Sequence, residues 1–343
     1  MFVPFDRQVR VHLGVVALGD PPRLASSLGA LVAHESRHDF VVSCLVNRAS
    51  IRDAPLRVEL PDGVRVERPH ANVGWSGGLH LLRALSDGEL FAWVQDDMLP
   101  EPGWLDALVD AADALPSVGV FGALRVDDGG AVVLHSGGRA EPPDRVERWN
   151  DTDSTDTHTP TEVTVLDWVT SAGCLTRTQV FDEVGGPDPR LWPLNHVDKD
   201  YSTHVRCHGY DVALVPSARV RHAGARSAPN PFRVFLDEWR DGWFDERWAG
   251  AVTALVGRTS GVVDHPCAEW RTEEIGLIEG LAGREASAML VPFARSQAST
   301  FAGLVELRNH LQRTIAHLER ELGEAHPAPS FAARLMRRLR RLR

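Results

Sequence analysis

From Val9 to Gln95 the chain alternates short apolar, β-branched runs with helix-patterned segments, and that alternation restricts the folds open to it. VRVHLGVVAL (9–18), DFVVSCLV (39–46), the shorter GVRVERP (63–69) and LFAWVQ (90–95) have the length and composition of strands buried on both faces. PPRLASSLGALVAH opens with prolines and then carries apolar residues at helical spacing. GGLHLLRAL (77–85) predicts a second helix and PGWLDALVDAADAL a third. Strands separated by helices in this way predict an α/β domain with a mostly parallel sheet flanked by helices.

The pattern changes at about residue 125. Residues 125–162 are rich in Gly, Pro, Asp and Thr, notably NDTDSTDTHTPTE, and predict a hairpin or a long loop insertion. VTVLDWVTSAGCLTR (163–177) returns to strand character, and TQVFDEVGG predicts a short helix closed by glycine. DVALVPSARVRHAG (211–224) supplies the last strands. Beyond Pro229 the residues Trp239, Trp243 and Trp248 recur four and five apart, as a hydrophobic clamp would place them. Leu304, Leu307, Leu311, Ile315, Leu318 and Leu322 form one apolar helical stripe, expected to pack on the domain. The expected organisation is therefore 1–228 for the α/β domain, 229–330 for a helical C-terminal region and 331–343 for a basic tail.

Composition excludes several classes of function. The formal net charge of −10 argues against nucleic-acid binding. The four cysteines form no CxxC pair, so neither a zinc site nor a disulfide framework is expected, and a reducing, cytoplasmic setting is. No signal peptide and no apolar run of about 18 residues is found. The tail PSFAARLMRRLRRLR differs from the acidic body. It carries six arginines and no acid from Phe331 onward, with Phe331, Leu335, Leu339 and Leu342 on one helical face. Such a helix suits an anionic membrane surface, which predicts peripheral attachment at the inner face of the cell membrane.

Four segments carry candidate chemistry. Asp96 and Asp97 follow an apolar strand at the end where open α/β sheets bind ligands. HANVGWSGGLHLL (70–82) puts Gly74, Gly77 and Gly78 in a loop that opens a helix, where backbone can approach a ligand. LNHVDKDYSTHVRCHGY (194–210) holds the only lysine of the chain, Lys199, between Asp198 and Asp200. Asp200 is expected to cap the helix YSTHVRCH, which Gly209 ends. His222 closes a late strand. Carboxylates and an imidazole suit a hard divalent cation, Mn²⁺ or Mg²⁺, on a diphosphate.

In this order the segments resemble the family 2 glycosyltransferases, inverting enzymes of GT-A fold, over roughly residues 9–226. The first strand, VVALGD, would meet the nucleotide at Ala17. Val46-Asn47-Arg48-Ala49-Ser50 resembles the base-facing D-x-x-S motif, and Asn72, Gly74, Gly77 and Gly78 resemble N-x-G-x-x-G-G. Gln95-Asp96-Asp97 stands at the DxD position, Val197-Asp198-Lys199-Asp200 at E-D-x-D, and Pro216, Ala218, Val220 and His222 at P-x-A-x-V-x-H. The segment from Trp168 to Cys174 resembles the family's small-residue strand-to-helix turn. The resemblance implies metal ligation by Asp97 and His222 and a catalytic base at Asp198. It implies donor contacts at Ala17, Asn47, Asn72, Gly74, Gly78 and Asp96, with Trp168 and Asp200 on the acceptor side or in helix capping. The implied partners are a nucleotide diphosphate sugar and a glycan or lipid-linked acceptor, as in rhamnosyl- and galactofuranosyltransferase-like members. Three positions depart from the pattern: Gln95 and Asn47 replace aspartates and Val197 a glutamate. The alternative is a catalytically silent GT-A domain that binds glycans or acts as a scaffold. A sugar nucleotidyltransferase is disfavoured, because LGDPPRLASS after the first strand lacks a basic G-x-G-T-R loop.

Overall fold

The structure is a computed structural model. It describes residues 9–17, 21–47, 60–85, 87–141, 145–148, 160–222 and 230–255, with 262–263, 278, 280, 282–286, 288–290 and 292–295. Arg48 to Ser50 of the base-facing motif, the 304–322 leucine stripe and the 331–343 tail lie outside the described residues.

In chain order the elements are β1 (Val11–Ala17), α1 (Pro21–Val32), β2 (Phe40–Val46), β3 (Val64–Glu67), α2 (Gly74–Arg83), β4 (Leu90–Gln95), β5 (Leu99–Pro100) and α3 (Trp104–Ala114). There follow β6 (Val118–Val126), β7 (Val133–His135), β8 (Gly138–Glu141), β9 (Arg145–Arg148), β10 (Thr164–Leu166), β11 (Cys174–Arg177), α4 (Thr178–Val184), α5 (Val197–Cys207), β12 (Asp211–Arg221) and α6 (Asn230–Leu255). One ten-stranded sheet has the order β10-β12-β6-β11-β4-β1-β2-β3, with β5 paired to β12 and β7 to β6. β1, β2, β3 and β4 pair in parallel, as do β6 and β12; β11 runs antiparallel between β4 and β6. The mostly parallel α/β sheet expected from the alternation is thus present. The glycine-rich insertion forms hairpins, β6–β7 and β8–β9.

Both faces of the sheet are covered, which explains the unbroken apolar runs. Every residue of β1 is buried. On one face Val11, Leu13, Val15 and Ala92 pack with Leu24, Leu28, Leu105 and Leu108 of α1 and α3. On the other, Val16, Phe91 and Trp93 meet Leu79 and Leu82 of α2, Phe181 of α4 and Tyr201 of α5. Burying each such aliphatic side chain contributes roughly 1.5–3 kcal/mol. A third cluster joins Cys207 to Phe244, Trp248, Ala251, Val252 and Leu255 of α6.

The compact unit holding the sheet runs from Met1 to Ser287, so α6 belongs to it; the second unit is Ala288–Arg343. Of the three spaced tryptophans, Trp248 is fully buried, Trp243 is partly buried and Trp239 is exposed. Among the described residues no helix is long and apolar enough to cross a membrane.

Candidate active site

Parallel strands end together. The C-terminal ends of β1, β2, β4, β6 and β12 therefore share one edge of the sheet, which gathers Ala17, Asn47, Asp96, Asp97 and His222 there. β11 runs the other way and contributes the turn before it, tied by the Gly173 N–H to the Trp93 carbonyl at 3.0 Å.

Asp97 and His222 are 125 positions apart in the sequence, and β5 brings them together. It pairs antiparallel with the end of β12, Leu99 opposite Arg221, so the residues just beyond meet. His222 Nε2 lies 2.9 Å from Asp97 Oδ1. The turn carrying Asp97 is closed by the Met98 N–H on the Gln95 carbonyl at 3.2 Å, and Ser27 Oγ of α1 donates to the Met98 carbonyl at 2.7 Å. The His222 backbone N–H is held by Val126 O at 3.0 Å. Burial by itself would raise the Asp97 pKa; His222, and more distantly Arg23, outweigh it and keep this carboxyl below its usual range. His222 is buried, and neither ring nitrogen makes an aligned hydrogen bond among the described residues. A buried imidazole whose Nδ1 has no hydrogen-bond partner among the described residues, with Nε2 2.9 Å from an ionised carboxylate, fits a divalent cation. Among the described residues no three His, Cys, Asp or Glu side chains converge on such a site. Two protein ligands suffice where substrate phosphates and waters supply the rest. Asp96 is half-buried in the same turn.

The glycine-rich segment is ordered mainly by protein partners. Asn47 donates from Nδ2 to the Gly74 carbonyl at 3.2 Å and accepts from the Val73 N–H at 3.1 Å, so both ends of its amide are engaged. Its own N–H is held by Ala17 O at 2.7 Å, and the Ala17 side chain is fully buried in the core. Asn72 Oδ1 accepts from the Gly74 N–H at 2.8 Å, and its carbonyl accepts from Trp192 Nε1 at 2.9 Å. Gly74 has φ +73°, and a Cβ there would lie 2.9 Å from Trp192 Cδ1 and 3.0 Å from the Pro193 carbonyl oxygen, so glycine is required. Gly78 lies within the predicted helix 77–85. It sits inside α2, which begins at Gly74 rather than at 77, and a Cβ would stand 2.8 and 2.9 Å from the two methyls of Val16. Close packing of helix on sheet accounts for a glycine at this position. Gly78→Ala is expected to destabilise the fold by about 1–3 kcal/mol through overpacking, read as a lower melting temperature, with little change in donor KM. An unchanged melting temperature with a raised donor KM would restore the ligand-contact role.

α5 begins at Val197, with His196 before it in the left-handed region at φ 59°. The expected cap at Asp200 is therefore corrected, since Asp200 lies in the first turn of the helix. His196, at the cap position, makes no side-chain capping hydrogen bond to the helix. Asp198 is half-buried and accepts the Lys199 N–H at 3.0 Å. Lys199 is buried, its Nζ 5.7 Å over the Trp168 ring and 3.9 Å from Asp241 Oδ1. Trp168 is itself buried, with the His135 ring at 4.8 Å, and its backbone pairs with Gly138; it caps no helix.

The chain was compared with known proteins on this basis. The sequence model of the family described as "Glycosyltransferase like family 2" matches residues 9–236. The chain belongs to this family. This glycosyltransferase is 26% identical over 285 residues to the "N-acetylglucosaminyl-diphospho-decaprenol L-rhamnosyltransferase" of Mycobacterium tuberculosis, strains CDC 1551 / Oshkosh and H37Rv; the match covers 74% of the chain and 89% of the relative. Among solved structures, GalNAc-T7 with UDP, GalNAc and Mn²⁺ is similar at TM-score 0.49 and 14% identity, covering 82% of the glycosyltransferase and 55% of that chain. The mannosyltransferase PcManGT from Pyrobaculum calidifontis, in complex with GDP-Man and Mn²⁺, is similar at TM-score 0.47 and 12% identity, covering 88% and 82%.

The family match ends inside α6, and the glycosyltransferase packs further charged residues just beyond it that sequence reasoning missed. Asp200 is fully enclosed, its Oδ1 accepting from Trp248 Nε1 at 2.7 Å with Arg247 Nη1 at 3.6 Å. Arg247 also pairs with Asp188, which is held by Arg190 at 2.6 Å. Arg240 Nη2 donates to the carbonyls of Arg190 at 3.0 Å and Trp192 at 2.5 Å. The only signal in the sequence was Arg240 and Arg247 interleaved with tryptophans at helical spacing.

Burial pushes the Asp200 carboxyl up to about 6; Arg247 opposes this and Asp188 reinforces it. The folded state therefore holds a proton that the unfolded chain releases near pH 4. The stability this proton supplies is full below pH 4 and is lost as pH rises through about 6. Asp200→Asn keeps an oxygen for Trp248 and cannot ionise. Its stability relative to wild type is expected to rise between pH 4 and 7 by on the order of 3 kcal/mol. Denaturant titrations at both pH values check this, and a difference independent of pH would contradict it.

Proposed function

We propose that this glycosyltransferase is a divalent-metal-dependent, inverting enzyme that moves a sugar, hexosyl or deoxyhexosyl, from a nucleotide diphosphate donor to a hydroxyl of a lipid-linked glycan precursor or cell-surface polysaccharide. The observation that carries the reading is the Asp97–His222 pair, 2.9 Å apart at the ligand-binding edge of a sheet whose family transfers sugars. The relative's printed name, a rhamnosyltransferase acting on a diphospho-decaprenol, supports a deoxyhexose and a lipid-linked acceptor. Docking at the inner face of the cell membrane suits such an acceptor, with the basic 331–343 segment as the contact.

Asp97 and His222 would hold Mn²⁺ or Mg²⁺. A cation bound there neutralises charge on the leaving diphosphate. Asp198, in the first turn of α5, takes the proton from the acceptor hydroxyl. The acceptor oxygen bonds to the anomeric carbon while the bond from that carbon to the diphosphate oxygen breaks, its electron pair leaving with the diphosphate. One displacement inverts the anomeric centre. Asn47, Asn72 and Gly74 shape the loop beside the donor, and Asp96 is its remaining polar contact. Thermal shift against UDP-, dTDP- and GDP-sugars, with and without Mn²⁺, tests the reading. Stabilisation by one nucleotide class, larger with Mn²⁺, is expected. No stabilisation by any of them would overturn it. Stabilisation without turnover would favour the silent, glycan-binding alternative, to which the replacements at Gln95 and Asn47 point.

A further inference from the structure

We infer that α6, beyond the end of the family match at residue 236, is a positioning clasp for the helix turn that carries Asp198, and that Asp241 is its working residue. The inference rests on the reading of Asp198 as the base.

Three observations converge on that turn. Asn195 and His196 both stand in the left-handed region, at φ 75° and 59°, immediately before α5. Non-glycine residues keep such conformations only where their surroundings over-determine them. Second, α6 supplies those surroundings. The His196 Nε2–H donates to Asp241 Oδ1 at 2.6 Å, and Lys199 Nζ lies 3.9 Å from the same oxygen. Asp241 thus grips the residues two before and one after Asp198. Third, about two turns along α6, Trp248 and Arg247 fix Asp200, while Arg240 holds the carbonyls of Arg190 and Trp192 in the loop leading to α5. Among the described residues Asp198 accepts a hydrogen bond from the next backbone N–H, so the placing of its neighbours sets its direction. The enclosed Asp200–Arg247 contact, taken out of water, adds little stability compared with apolar packing, and in this proposal its use is to hold one arrangement. Asp241 keeps a largely exposed side chain, so it can be changed with little loss of burial.

The test measures nucleoside diphosphate release by the full chain, with Mn²⁺ and whichever UDP-, dTDP- or GDP-sugar stabilises the protein most. Asp241→Ala is expected to lower kcat by about 10- to 100-fold, with donor KM within about twofold and the melting temperature nearly unchanged. Asp241→Asn keeps an acceptor oxygen for His196 and should recover most of the lost kcat. The decisive arm is the double variant. If Asp241 acts through Asp198, Asp241→Ala in an Asp198→Asn background changes kcat no further. An undiminished kcat for Asp241→Ala, beside a large loss for Asp198→Asn, overturns the clasp alone. An equal loss in both backgrounds also overturns it, because Asp241 then acts on the fold at large. If Asp198→Asn has no effect, the base assignment falls and takes this proposal with it.

Discussion

Asp198→Asn is expected to lower turnover by a factor on the order of 10² to 10⁴, the usual worth of a positioned base, while donor affinity holds. Asparagine has nearly the same shape and keeps an oxygen for the Lys199 N–H that the aspartate accepts at 3.0 Å. The first turn of α5 should therefore stay folded, and the loss should appear in kcat rather than in KM. A single-turnover measurement with saturating donor separates the two. If donor binding falls while the bound complex turns over normally, Asp198 belongs to the binding surface and the base lies elsewhere.

Asp97→Ala is expected to abolish measurable turnover and to remove the extra stabilisation that Mn²⁺ gives to the nucleotide complex. The carboxylate supplies the ionised oxygen opposite His222, and without it His222 alone is left to hold a cation. On the proposed reading Asp97 is one of the two residues that would hold the cation, so the variant would lose both its charge and its anchor. Folding should survive, because Asp97 sits in a turn whose backbone bonds, Met98 N–H to Gln95 O and Ser27 Oγ to Met98 O, do not involve its side chain. Full activity of this variant in EDTA would show that the pair is an ion pair and nothing more.

Parts of this architecture were legible in the sequence for a definite reason. LFAWVQ is β4 residue for residue, since a parallel strand covered on both faces reads as one apolar run ending where polar residues begin. Position at the end of that strand is also what singled out Asp97. Elsewhere local signals misled. The helix predicted from Gly77 starts earlier, at Gly74, and its Gly78 is there because the helix approaches Val16 too closely for a side chain. DVALVPSARVRHAG (211–224) reads as more than one strand. β12 instead runs from Asp211 to Arg221 as one strand, and its register on β6 shifts between Val215 and Arg219, where the proline's missing N–H falls. Asp200 looked like a cap because aspartates favour helix starts. Its partner, Trp248 Nε1, lies 48 residues on, in an element that no local pattern links to α5. Long-range ion pairs leave no periodic trace, so the α6 contacts became visible only with the fold.

The central claim is sugar transfer from a nucleotide diphosphate at the Asp97–His222 edge of the sheet. Mass spectrometry of an N-acetylglucosaminyl-diphospho-polyprenol acceptor, incubated with UDP-, dTDP- and GDP-sugars and Mn²⁺, tests it most directly. One sugar is expected to be added to the acceptor, with nucleoside diphosphate released in equal amount, and both are expected to stop in EDTA. Nucleotide-sugar binding with no nucleoside diphosphate released, whether or not the acceptor is present, would contradict it and leave a GT-A domain that binds without transferring.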